Sequence, residues 1–302
     1  MNRIATIPLQ MTLANAISRA QGQLAITQQQ IATGKKAQSY ADLGTQSSRI
    51  LSAHSMIARQ EAHAAVAAQV GTTLSIYDAG MTTIDSSVSD LRQTLLQAIG
   101  TGQTTGLQAS IEGAFHEFRV SLNTTERGVA LFGGSQTEAV PFKVDTLPAL
   151  VGTLDADVFG NDNVRPSAEV SEGLSVDYGR TASEVGSGLY QAFRALAEAG
   201  PLGATPTPAQ TAKLNEALGL LDTGLAQLRN ANADNGRMQN EVDTLSKRAE
   251  QRSLLWKDII SKNEDADLSE VAINLTRQKT VLYASYSFFS QLSRLSLLSY
   301  LN

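Results

Sequence analysis

The sequence predicts a mainly α chain: an elongated antiparallel helical coiled-coil rod made by N- and C-terminal arms, with a small β-rich domain inserted between them. Three observations predict it. Six of the seven prolines (Pro141, Pro148, Pro166, Pro201, Pro206 and Pro208) fall in one central window. Only Pro8 lies outside, so residues 9–140 and 209–302 lack the residue that breaks helix interiors. Both arms carry apolar residues at alternating spacings of three and four, the heptad signature of paired helices. Between them the pattern changes to short alternating runs punctuated by glycine.

The first heptad run is Leu13, Ile17, Ala20, Leu24, Thr27 and Ile31. A second follows at Val70, Leu74, Tyr77, Met81, Ile84, Val88, Leu91, Leu95 and Ala98, and a shorter third at Ile111, Phe115, Phe118 and Leu122. The C-terminal arm repeats the pattern twice. One run is Met238, Val242, Leu245, Ala249, Arg252, Trp256 and Ile259; the other is Leu268, Val271, Leu275, Gln278, Leu282, Ser285, Phe289 and Leu292. A helix from about Ser47 to Gly100 has a length of roughly 80 Å at ~1.5 Å per residue. A compact globule of this size has a diameter near ~50 Å, so the sequence predicts a rod.

Residues 136–182 hold Pro141-Phe142-Lys143-Val144, Asp157-Val158-Phe159 and Leu174-Ser175-Val176-Asp177-Tyr178, separated by Gly152, Gly160 and Gly173. They read as short strands and turns, expected at the far end of the hairpin. Ser183 to Ala199 reads as a helix leading back, and Pro201 to Pro208 as a loop. The expected organisation has three parts. Residues 1–45 and 263–302 form a terminal helical assembly domain, 46–135 and 183–262 a helical rod domain, and 136–182 the inserted β-rich outer domain.

The terminal helices have an unusual polar face. From Leu9 to Thr33 the only charge is Arg19, and from Val271 to Asn302 there are three cations and no acid. A solvated coiled coil places charges at its outer positions, whereas neutral polar faces suit burial against further protein. The expected assembly interface is therefore the terminal seam: Leu13, Ile17, Leu24, Ile31, Leu275, Leu282, Phe289 and Leu292. A thirty-residue helix must offset roughly 30–60 kcal/mol of backbone ordering. Six or so seam residues return only ~1.5–3 kcal/mol each. Both terminal segments are thus expected to be disordered in the free monomer.

Composition excludes much chemistry. The absence of cysteine removes disulfides, thiolate zinc sites and cysteine nucleophiles. Formal net charge is -5, with a local +5 over residues 1–60, but the cations are dispersed and no aromatics interleave with them, a poor nucleic-acid signal. No apolar stretch has the length of a membrane span. Thr6, Pro8, Gln10, Thr12 and Asn15 interrupt the stretch from Ile4 to Ile17, so no cleavable signal is expected there. Among the three histidines, His54 and His63 are about 900° apart on a helix and face opposite sides.

The acidic group Glu264, Asp265, Asp267 and Glu270 imitates the opening of a calcium loop. Its sixth position is Glu270 rather than glycine, and its twelfth is Thr276 rather than glutamate. These acids read better as the start of the last helix, with Asp267 and Glu270 a capping-box-like pair. Thr33-Gly34-Lys35 lacks the earlier glycine of a phosphate loop and is followed by Lys36 instead of Ser or Thr. No catalytic, cofactor-binding or metal residue emerges, and no enzyme is expected.

Several stretches carry a family resemblance. Arg3-Ile4-Ala5-Thr6, then Leu24, Gln28, Ile31-Ala32-Thr33-Gly34-Lys35-Lys36 and Asp42, resemble the opening of the hook–filament junction proteins (hook-associated protein 3, the FlgL family) in the bacterial flagellin superfamily. Leu131-Phe132-Gly133-Gly134-Ser135-Gln136-Thr137 with Pro141-Phe142 resembles that family's passage into its outer domain. Asp265-Ala266-Asp267-Leu268 and Leu295-Ser296-Leu297-Leu298-Ser299-Tyr300-Leu301 resemble its C-terminus. A single Asp42 stands where the family has paired aspartates. Flagellins share the two-armed plan but usually have Arg-Leu-Ser-Ser-Gly where this chain has Gln30-Ile31-Ala32-Thr33-Gly34. The resemblance implies a secreted structural subunit of the flagellum, exported by the type III route with a chaperone on its C-terminal helices. It implies assembly as a ring of identical subunits between a neighbouring hook-associated protein and flagellin, with no cofactor, nucleic acid or membrane insertion. The runner-up is a minor or atypical flagellin, with an outer domain suited to surface binding.

Overall fold

The computed structural model describes the backbone of residues 3–298, and the side chains of residue 8 and residues 11–291. Seven α-helices carry the described chain: α1 (Arg3–Thr33), α2 (Ser47–Thr101), α3 (Leu107–Leu122), α4 (Asp155–Val158), α5 (Ala182–Glu198), α6 (Pro208–Glu264) and α7 (Leu268–Leu298). Strand is limited to two antiparallel hairpins, β1 (Thr125–Glu126) with β2 (Val129–Ala130) and β3 (Ser167–Ser171) with β4 (Leu174–Asp177). The fold is mainly α, as the heptads predict. Contacts divide the chain into two units, residues 1–58 with 252–302 and residues 59–251. Both boundaries fall inside helices, α2 and α6.

In the unit of residues 59–251 the predicted heptad positions become the core. All nine residues from Val70 to Ala98 are buried, and so are Ile111, Phe115, Phe118 and Leu122 of α3. Heptad spacing leaves one stripe of α2 facing inward, and from Tyr77 to Ala98 it shares one buried cluster with α3, α5 and α6. Helix α5 begins with a capping box: Thr181 Oγ1 accepts from the Glu184 amide, and the Glu184 carboxylate accepts from the Thr181 amide. Helix α6 starts on Pro208 behind Thr207, which pairs with Gln210 in the same way. Where α5 crosses α6, Gly188 and Gly224 let the two backbones touch.

The 136–182 stretch shares this core. Phe142, Val144, Leu147, Leu150 and Val158 are buried in the same cluster as α3 and α5, and Phe142 meets Phe115 and Phe118 edge-on at 6.0 and 5.2 Å. The β3–β4 hairpin buries Val170 and Val176 against Ala67, Val70 and Leu74 of α2 and Val242 of α6. Residues 123–135, expected to continue a helical rod, instead form the β1–β2 hairpin and a 3₁₀ turn at Leu131–Gly133. The reason lies in Arg127-Gly128 and Gly133-Gly134, which break helical propagation. Gly134 has φ +67°, and a Cβ there would strike Asp162. That carboxylate accepts from the Ser135 and Val164 amides at 2.8 and 3.1 Å. The Ser135 hydroxyl, which also donates to this carboxylate, and these amide bonds hold Asp162 down to a pKa of about 2.

Pro8 stands inside α1 and has no N–H to offer the carbonyl four residues back. Its own carbonyl accepts from Thr12 Oγ1 at 2.8 Å. No described helix is long and apolar enough to cross a membrane.

Candidate assembly interface

Three chain segments meet where α1 ends and α7 begins. Gly34, with φ +70°, closes α1 by donating its amide to the Gln30 carbonyl at 2.8 Å. The next residues form an antiparallel bridge: Lys36 N–H donates to Glu264 C=O at 2.7 Å and Ala266 N–H to Gly34 C=O at 2.8 Å. Side chains reinforce it. Lys35 Nζ lies 2.6 Å from Asp265 and 3.3 Å from Glu264, while Lys36 Nζ donates to the Lys262 carbonyl at 2.7 Å. His54 Nε2 approaches Glu264 at 3.3 Å. The Asp265 hydrogen bond, with the Glu264 bond and both carboxylate charges, raises the Lys35 pKa against the opposing effect of burial. Lys35 and Ser261 in turn lower that of Asp265.

This geometry gives the acidic group its role. Glu264 and Asp265 are matched by Lys35, and Asp267 caps α7, accepting from the Ser269 and Glu270 amides at 2.9 and 3.2 Å. Among the described residues, no group of three or more His, Asp or Glu side chains could hold a metal ion. Asp42 acts locally as well. Its carboxylate accepts from the Ser39 amide and hydroxyl at 3.1 and 2.8 Å, opening the 3₁₀ turn Tyr40–Gln46.

From this clasp α1 and α7 run antiparallel as a pair, and Gln21 Nε2 donates to the Tyr286 hydroxyl across it. Of the expected interface residues, Leu13, Ile17 and Leu24 on α1 are half-buried; on α7, Leu275 and Phe289 are half-buried and Leu282 is buried. Ile31 falls off the stripe and is exposed, Gln30 taking its place. The side chain of Leu292 lies outside the described residues. The seam thus holds the two helices of one chain to each other.

What remains outward is a second apolar set that heptad counting does not mark. Ile273 is 69 % exposed, Val281 53 %, Tyr283 70 % and Phe288 52 %. Ile273, Arg277, Thr280, Val281, Ala284 and Phe288 recur at spacings of three, four and one, sharing a helix face turned by roughly 120° from the seam. On α1, Met11 and Ile26 are exposed as well. The available sequence signal was the number of large apolar residues in α7, more than one seam can bury.

Known proteins share this fold. Residues 218–301 match the family profile of the bacterial flagellin C-terminal helical region. Among solved structures, a Vibrio parahaemolyticus protein assigned as flagellar hook-associated superposes with a TM-score of 0.64 at 19 % identity, covering 74 % of this chain and 100 % of its own. Bacillus cereus FlgL superposes with a TM-score of 0.55 at 16 % identity, covering 70 % of this chain and 98 % of its own. No curated protein matches the sequence. The chain has the fold of these proteins.

Proposed function

We propose that this chain is a structural subunit of the bacterial flagellum, a hook-associated junction protein that joins hook to filament by self-assembly through α1 and α7. One observation carries the reading: the α1–α7 pair buries Leu282 and half-buries its other described seam leucines, and still leaves Ile273, Val281 and Phe288 exposed on one face. Burying the exposed part of such side chains returns about 1–2 kcal/mol each, so neighbouring copies gain from covering this face. The hook-associated neighbours and the flagellin C-terminal match supply the setting.

The finer points belong to the same proposal. The subunit is secreted by the flagellar type III apparatus with a chaperone on its C-terminal helices, and assembles as a ring between a neighbouring hook-associated protein and flagellin. It carries no catalytic activity. Its terminal segments fold only on assembly, because a helix pair joined by one seam is marginal alone. Protease resistance of both ends in dilute monomer counts against that point.

The deciding experiment locates labelled protein along isolated flagella. A band confined to the junction between hook and filament is the expected result. Label distributed along the filament supports the second reading, a minor flagellin, which the flagellin C-terminal match favours. Absence from the flagellum overturns both.

A further inference from the structure

We infer that Asn235 is a deamidation site that folding closes: the unfolded chain converts it to aspartate or isoaspartate, and the folded chain protects it. The inference stands apart from the flagellar reading and concerns the unit of residues 59–251.

Chemistry selects this residue. Asn235-Gly236 is the one asparagine–glycine pair in the chain. Glycine has no Cβ to hinder attack and visits more backbone conformations than any other residue, so its nitrogen reaches the preceding side chain most readily. The Gly236 amide gives its proton to base and its nitrogen attacks Asn235 Cγ, closing a five-membered succinimide. The Cγ–Nδ2 bond breaks and that nitrogen leaves as ammonia. Water then adds to either ring carbonyl. One opening gives aspartate; the other gives isoaspartate, in which the main chain runs through the side-chain carboxyl. Packing does not require the glycine, because an added Cβ at Gly236 meets nothing within 4 Å.

The fold blocks each step. Both residues lie inside α6, where the Gly236 N–H is bonded to the carbonyl four residues back and helical backbone angles keep the nitrogen away from Cγ. Asn235 is 2 % exposed. Its Nδ2, the leaving group, donates to the Leu74 carbonyl of α2 at 2.9 Å, and Gln239 Nε2 donates to the same oxygen at 3.0 Å. The buried residues Leu214, Leu221, Leu228, Asn235 and Val242 recur every seven positions, so the asparagine fills a core site between α6 and α2. The fold also rejects the product. Aspartate sets a carboxylate against the Leu74 carbonyl where a donor stood. Arg180 and Arg237 offer it no free cation, since both are engaged with the neighbouring Asp234. Isoaspartate inserts an extra backbone carbon into the helix.

The test uses the full chain, held at one mildly alkaline pH and temperature in native buffer and in concentrated guanidinium chloride. Peptide mass spectrometry follows conversion at Asn235. Conversion is expected in denaturant, and on the order of tenfold or more slower in native buffer, because a core helix opens only with much of its unit. Gly236→Ala should fold and should slow conversion in denaturant on the order of tenfold or more. Asn235→Asp, which reproduces one product, should lower Tm on the order of 10 °C or leave the unit unfolded. Four results overturn the inference. They are equal conversion rates in the two solvents, a denatured chain in which Asn235 converts no faster than its other asparagines, a Gly236→Ala chain that converts as fast as wild type, and Asn235→Asp protein that melts with wild type.

Discussion

Replacing Gly224 by alanine tests the backbone contact between α5 and α6. A Cβ at this position sits 2.7 Å from the Leu189 amide nitrogen, 2.7 Å from Leu189 Cδ2 and 2.9 Å from the Gly188 carbonyl carbon. Ordinary contact begins at 3.4 Å, and two of these neighbours are backbone that cannot rotate away. Helix α5 must therefore lift off α6 by about 0.7 Å, a gap that forfeits a quarter to a half of each pairwise attraction along the contact. Leu189, Tyr190, Ala192, Phe193 and Leu196 of α5 are all buried and share that loss. Overpacking of this kind costs about 1–3 kcal/mol, against which alanine returns up to ~1 kcal/mol of helix propensity. A net destabilisation of about 1–2 kcal/mol lowers Tm by about 2–8 °C for a unit of this size. Gly219→Ala is the control: it lies in the same helix, and its added Cβ meets nothing within 4 Å. That variant should gain ~1 kcal/mol and melt about 2–4 °C higher. Thermal unfolding by circular dichroism reads both, and a Gly224→Ala protein that melts at or above wild type refutes the backbone-on-backbone crossing.

Leu282→Asp and Phe288→Asp should both detach filaments, from two faces of α7. The first places a carboxylate in the seam at several kcal/mol. The second leaves the seam untouched and removes the exposed apolar face; secreted protein is measured in the same cells, because normal export with retained filaments sinks the assembly reading. Lys35→Gln should remove the alkaline limb of the clasp's pH response and weaken its acid limb, which Ser261 still supports, followed by exchange of the Lys36 and Ala266 amides in assembled protein. Asp265, lowered from 3.8, contributes stability above that value and loses it as pH falls through its depressed folded pKa. Lys35, raised from 10.5, contributes below that value and loses it as pH rises through its elevated folded pKa. Protection that is flat on both limbs in wild type contradicts this. Asp162, with a pKa of about 2, holds the Ser135 turn above 3.8 and releases it as pH falls toward 2. Asp162→Asn should remove that acid limb from the Ser135 amide shift in an NMR titration.

The heptads and the single proline-rich window by themselves determined the helical plan and most of the buried surface. Every residue of the Val70–Ala98 run lies in the core, Leu282 is buried, and Leu13, Ile17, Leu24, Leu275 and Phe289 are half-buried. Local periodicity suffices there because a helix has one fixed rotation per residue, so spacing alone says which side chains share a face. The acids at 264–270 were legible in part: Asp267 caps α7, but only the fold brings Lys35 to Asp265, 230 residues away. Three features came from tertiary structure. The 136–182 stretch joins the core of α3 and α5 because its phenylalanine and leucines find a neighbouring apolar surface that spacing along the chain does not encode. The Gly188–Gly224 contact depends on the distance between two backbones, and an isolated glycine in a helix gives no sign of it. Helix α7 is apolar on more than one face, and periodicity cannot say which face its own chain covers. Pairing with α1 decides that, covering Leu282 and leaving Ile273, Val281 and Phe288 for another surface.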